Sequence, residues 1–256
     1  MNKNKIIKEN LENHISNSIK LFNHEFSFPK IVQQELNNLD NITWLPNSEI
    51  NINLLKEKSK SELNELLNDN QLHSEIDNLV KDLIDINNKT IQDNIEHQLV
   101  NNLTTISQNI LDDKNNFELN LLFLEHDYEP EACFCGFDDD SYKYKLLSGQ
   151  EYLEYDYKKE LFNGAGRFDY TNLLSPYIKF INKLGDEKVE MINEALTGGM
   201  YLEQIKNLFL LNGFLGIHLC LNKIKSKVRE IHLPMKDEVF IFGNEHDCEE
   251  INIYVL

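Results

Sequence analysis

The sequence predicts an α+β fold: a helical N-terminal part followed by a mainly antiparallel sheet with packed helices. Three observations predict it. Ile91, Ile95, Leu99, Leu103, Ile106 and Ile110 recur at intervals of three and four, the period of an amphipathic helix. The composition changes near residue 115, beyond which lie all ten glycines, all ten tyrosines and most phenylalanines. In that second part strands come first, then helices, then strands, an order that favours α+β over a doubly wound parallel sheet. The expected organisation is an all-helical region over 1–115 and an α+β domain with an antiparallel sheet over 116–256. The two can also form one integrated domain.

The elements follow in order. Ile7, Leu11, Ile15 and Ile19, with Phe22, form one apolar helical face. Ser27 before Pro29 reads as a cap and an early-helix proline for Lys30–Leu39. Trp44-Leu45-Pro46-Asn47 marks a turn. A polar helix is expected over Leu54–Leu67, another around Ile76–Ile84, and the long striped one over Ile91–Ile110. Many Asn residues occupy the polar faces, and Asn is a mediocre helix former, so these helices depend on tertiary packing.

In the second part, Glu118–Glu125 and Ala132–Phe137 read as a hairpin around Asp127-Tyr128-Glu129-Pro130. Tyr142–Tyr157 fits either strand or helix. Asn163-Gly164-Ala165-Gly166 reads as a turn, because it lacks the third glycine and the βαβ context of a phosphate loop. Helices are expected over Tyr170–Leu184, Glu187–Leu196 and Tyr201–Asn222. Strands are expected over Val228–Leu233, Val239–Phe242 and Ile251–Val255, the last two flanking a turn on Gly243-Asn244.

Charge is the most informative functional feature. The 256 residues carry 25 basic and 43 acidic side chains, a net of -18, and the hydrophobic fraction of 41% suffices for a packed core. This charge repels nucleic-acid backbones and anionic lipid surfaces, and it favours a basic protein partner. The first residues contain no apolar stretch of signal-peptide length, and no run of about 18 apolar residues occurs, so a soluble, cytoplasmic protein is expected. The four cysteines, Cys133, Cys135, Cys220 and Cys248, are read as small buried hydrophobes in a reducing compartment. A CxC is not the CxxC of redox sites or zinc knuckles.

Glu125–Asp140 holds seven carboxylates and no Lys or Arg: Glu125, Asp127, Glu129, Glu131, Asp138, Asp139 and Asp140. Tyr152, Tyr155 and Tyr157 follow, interleaved with further acids. Carboxylates steer and pair with Lys or Arg while exposed tyrosines supply anchors, so these ten residues are the candidate partner-binding set. The sequence points to binding rather than catalysis: an immunity protein neutralising a basic, toxin-like partner, with no cofactor and no metal.

Two rival readings belong to other classes. One is an acidic mimic of nucleic acid that inhibits a host or phage enzyme. The other is a metal-dependent hydrolase built on the repeated triplets Glu125-His126-Asp127 and Glu245-His246-Asp247. Alternation along a strand sends Glu and His of each triplet to opposite faces, which counts against a shared site. The aspartates at 138–140 lack EF-hand spacing. Lys223, Lys225, Lys227 and Arg229 form a local basic patch that fits a phosphate site, a protected sheet edge or the basic end of a helix. His218 reads as a core histidine.

Overall fold

The computed structural model describes residues 2–39, 52–85, 89–112, 118–126, 131–138, 160–196, 200–245 and 251–256. Five helices come first: α1 (Lys3–His24), α2 (Phe28–Leu39), α3 (Ile52–Asn68), α4 (Asn70–Asp85) and α5 (Lys89–Asp112). Strands β1 (Leu119–His126), β2 (Glu131–Phe137) and β3 (Glu160–Asp169) follow. Then come α6 (Thr171–Leu184), α7 (Asp186–Ala195), α8 (Tyr201–Glu230), β4 (Met235–Glu245) and β5 (Ile251–Val255). This is the expected α+β architecture.

The described strands form one sheet in the order β3-β2-β1-β4-β5. Three pairings are antiparallel, and the fourth, the central strand β1 with β4, is parallel. β1 is buried almost along its whole length, on both faces. That explains its run Leu121-Leu122-Phe123-Leu124, which is continuous rather than alternating.

By contacts the chain forms two compact units, one of residues 1–14, 87–173 and 211–256, the other of residues 15–86 and 174–210. The first unit holds the sheet. On one sheet face, α5 and the second half of α8 pack closely: a side chain at Gly216 would meet Ile95 Cδ1 at 2.8 Å. Any larger residue there requires the Ile95 side chain to move. The stripe Ile95, Leu99, Leu103, Ile106 and Ile110 is buried throughout, as its spacing predicts.

Helical amides lie along the two outermost described strands. At β3, Gln98 accepts from Asp169 N–H at 2.6 Å and donates to Asp169 O at 3.1 Å, while Asn102 donates to Arg167 O at 3.0 Å. At β5, Asn4 both accepts from Val255 N–H and donates to Val255 O, each at 2.8 Å. A carboxamide carries the same donor and acceptor as a peptide group, so each substitutes for a neighbouring strand.

The second unit is helical. Ser27 O accepts from Lys30 N–H at 2.9 Å and Ile31 N–H at 3.1 Å, and Pro29 sits in the first turn of α2, where its missing N–H costs no helix bond. Asp69, between α3 and α4, accepts from Leu72 N–H at 2.9 Å and caps α4. Phe28 is the packing centre, with ring contacts to His73 at 5.6 Å and Tyr201 at 5.3 Å. Lys188 of α7 bridges Glu65 at 2.8 Å and Asp69 at 3.2 Å.

Three local expectations are corrected. The segment read as a turn at Asn163–Gly166 lies inside β3; Gly164 and Gly166 take φ of 72° and 70° at register shifts, so the glycines serve bulges. The segment read as a strand over Val228–Leu233 is the end of α8 and a turn, because Ile224 and Val228, four apart, are buried and Ser226 between them is exposed. His232, with φ 53°, closes the helix in the left-handed position. Gly243-Asn244 is not a turn: both pair with β1, opposite Leu124 and Glu125. No helix among the described residues is long and apolar enough to cross a membrane. The Trp44–Asn47 and Tyr142–Tyr157 readings lie outside the described residues.

Candidate functional site

The acidic segment maps onto the β1–β2 hairpin. Its register pairs Glu125 with Cys133 and His126 with Ala132. Three of the ten predicted contact residues are described, and each makes an internal contact. Glu125, half-buried near the end of β1, receives a hydrogen bond from Cys135 Sγ at 3.4 Å. Glu131, exposed at the start of β2, faces Arg167 Nη1 at 3.3 Å. Asp138, directly after β2, pairs with Lys236. Asp127, Glu129, Asp139, Asp140, Tyr152, Tyr155 and Tyr157 lie outside the described residues.

Glu131 and Asp138 stand at opposite ends of β2, and a rise of about 3.3 Å per residue separates them by roughly 23 Å. The described carboxylates therefore do not gather at one place: Glu125 and Glu131 stand toward the turn end of the hairpin and Asp138 at its far end.

One face of the hairpin carries a denser arrangement. Glu125, Cys133 and Cys135 bring their donor atoms within 4.8 Å of one another. Leu121, Phe123, Phe137 and Phe242 form an apolar cluster with Cys135 on this face. Hydrogen bonding with Cys133, then burial, pushes the Cys135 thiol far up. No disulfide joins the described cysteines. Alternation along a strand puts Cys133 and Cys135 on one face, but the sequence reading did not bring Glu125 to them. The signal was present: a hairpin centred on residues 128–130 sets Glu125 opposite Cys133.

Of the two Glu-His-Asp triplets, the described residues Glu125, His126 and Glu245 sit on neighbouring strands, with His126 opposite Glu245 in the register. His126 is buried on the other sheet face, its ring 6.4 Å from Tyr170 and 6.2 Å from Phe214. Glu125 and His126 thus serve opposite faces, as alternation requires. His246 and Asp247 lie outside the described residues.

The basic patch lies on the last turns of α8. Lys223 and Lys227, four apart, reach the two carboxylate oxygens of Glu96 at 2.6 and 2.9 Å. Those two lysines hold the Glu96 carboxyl below its usual range.

His218 is a core histidine. Its Nδ1 lies 2.7 Å from Ile253 O, its Nε2 lies 3.0 Å from Asn222 Nδ2, and Tyr254 donates to Asn222 Oδ1 at 2.9 Å. A carbonyl needs a donor and an amide nitrogen needs an acceptor, so the ring is neutral with its proton on Nδ1. Burial lowers its pKa. Burial likewise raises the Cys220 thiol to about 11, in keeping with its reading as a small hydrophobe. In the second unit a pocket of about 220 Å³ opens between α6, α7 and α8, with Tyr177, Ile181, Val189 and Leu202 among its walls.

Compared with known proteins, the chain matches no family model, no curated protein and no solved structure.

Proposed function

We propose that this chain is an acidic binding protein that docks and neutralises a basic protein partner, in the manner of an immunity protein against a toxin. The charge imbalance carries the reading: 43 carboxylates against 25 bases leave 18 that no internal pairing neutralises. Lys58, Lys183, Lys188, Lys223, Lys227 and Lys236 are already matched to carboxylates within the chain. The surplus produces a negative field that accelerates encounter with a cationic surface. The base-free segment from Glu125 to Asp140 contributes seven of these carboxylates.

The test uses the chain as bait in lysate of its native cell at low ionic strength, followed by kinetics with the captured protein. The expected partner is basic. Reversing Asp138, Asp139 and Asp140 to Lys should lower the association rate about tenfold or more at low salt, with the difference shrinking as salt screens the field. An affinity and association rate indifferent to that reversal, and to reversal of Asp127, Glu129 and Glu131, defeats the reading.

A further inference from the structure

We propose that Glu125, Cys133 and Cys135 form a binding site for a thiophilic divalent metal ion of the Zn²⁺ class, with these three donors coming from the β1–β2 hairpin. The site shares Glu125 with the partner-binding set, but its argument does not rest on that reading.

Four observations support it. The first is convergence: the three donor atoms lie within 4.8 Å of one another, and Cys135 Sγ is 3.4 Å from Glu125 Oε2. Tetrahedral Zn²⁺ bound to sulfur at about 2.3 Å and carboxylate oxygen at about 2.0–2.2 Å needs donors roughly 3.4–3.8 Å apart, so small side-chain rotations complete the geometry.

The second is rigidity of origin. Glu125 and Cys133 are a direct cross-strand pair, and Cys135 follows two residues along the same face. The backbone of a paired hairpin fixes all three side-chain origins before any ion arrives, which lowers the ordering cost of binding.

The third is the surroundings. Phe123, Phe137 and Phe242 form an apolar shell beside the donors, and such a shell strengthens charge interactions at a metal.

The fourth is the donor set. Two sulfurs and one carboxylate oxygen suit Zn²⁺ and its analogues; Mg²⁺ and Ca²⁺ take oxygen donors. The competing use of a CxC, a disulfide, is disfavoured because two strand residues span about 6.6 Å, at the outer limit for a bridge. Binding releases the thiol protons to solvent: two thiolates, one carboxylate and one divalent ion leave the centre at −1.

The test is a Co²⁺ titration of the full chain after reduction and chelator treatment. Co²⁺ substitutes for Zn²⁺ and reports thiolate ligation through a near-ultraviolet charge-transfer band and tetrahedral geometry through intense visible bands. The expected result is saturation at one equivalent, with Zn²⁺ displacing the Co²⁺. C133S should abolish the band, C220S should retain it, and E125Q should keep the band while raising Kd tenfold or more. Cys133 is only half-buried, so C133S carries the decision, its fold verified by circular dichroism. The wild-type titration stands whether or not any variant folds. Absence of the band in the wild-type chain, or its persistence in C133S, overturns the proposal.

Discussion

The His218 network makes stability depend on pH in a defined direction. His218 is fully buried and neutral, with Ile253 O taking its Nδ1 proton and Asn222 occupying Nε2. Protonation would place a charge in the core and turn the Nε2 acceptor into a donor facing the Asn222 amide. Burial is the main cause of its lowered pKa; the Ile253 carbonyl and Glu12 oppose the shift, and Lys8 adds to it. In the unfolded chain the same imidazole titrates near 6.5. Below that pH the unfolded state takes up a proton that the folded state refuses, so stability falls as pH falls. The contribution is fully present above about pH 6.5 and is lost on descending toward the folded pKa, at up to about 1.4 kcal/mol per pH unit. Between pH 7 and pH 5.5 the loss reaches up to about 1.2 kcal/mol. Urea unfolding at half-unit steps measures it, with His218→Asn as the reference. Asn keeps a donor for Ile253 O and does not titrate. The wild-type chain should lose stability over this window faster than the variant. Parallel pH slopes for the two proteins would refute the argument.

Three further outcomes are expected. Phe28→Ala should cost about 3–5 kcal/mol in urea unfolding, because the ring is 1% exposed and contacts both His73 and Tyr201. Asp69→Ala should cost about 1–2 kcal/mol through loss of the α4 cap. The Leu72 N–H, and then Lys188, lower the Asp69 pKa below 3.8, so its contribution is present above that pH and lost below it. The variant should therefore show a shallower acid slope, read by thermal melts from pH 5 to pH 2.5. Gly216→Val should cost about 1–3 kcal/mol by crowding the Ile95 side chain of α5. Adding Ile95→Ala should recover part of that loss, a coupling that a double-mutant cycle measures directly.

The helices were legible because their signal is local. Ile7, Leu11 and Ile15, and Ile95 through Ile110, repeat at the helical period and are the residues found buried. β3 was not legible, because its two glycines in left-handed geometry look like a turn until the partner strand that tolerates them is known. The end of α8 was ambiguous for a different reason. Alternating Lys and apolar residues satisfy a two-residue period, and Ile224 and Val228 satisfy both periods. The parallel pairing of β1 with β4 joins residues more than a hundred apart, which no local pattern encodes. Composition reports the passage from helix to strand near residue 115, whereas the compact units follow packing and draw residues from both sides of it. The Glu125–Cys133–Cys135 convergence was half-legible, since alternation gave the CxC face and the hairpin register, once drawn, supplies the carboxylate.

The amides along the two outermost described strands give the fold a chemical clock. An Asn side chain imitates a strand only while its nitrogen remains. Hydrolysis of the Asn4 amide to a carboxylate replaces a donor with a negative oxygen facing Val255 O, and the outer side of β5 then becomes a template for another chain. Long-stored samples in which Asn4 has deamidated should sediment as larger species than fresh protein; equal sedimentation would show that β5 needs no such cover.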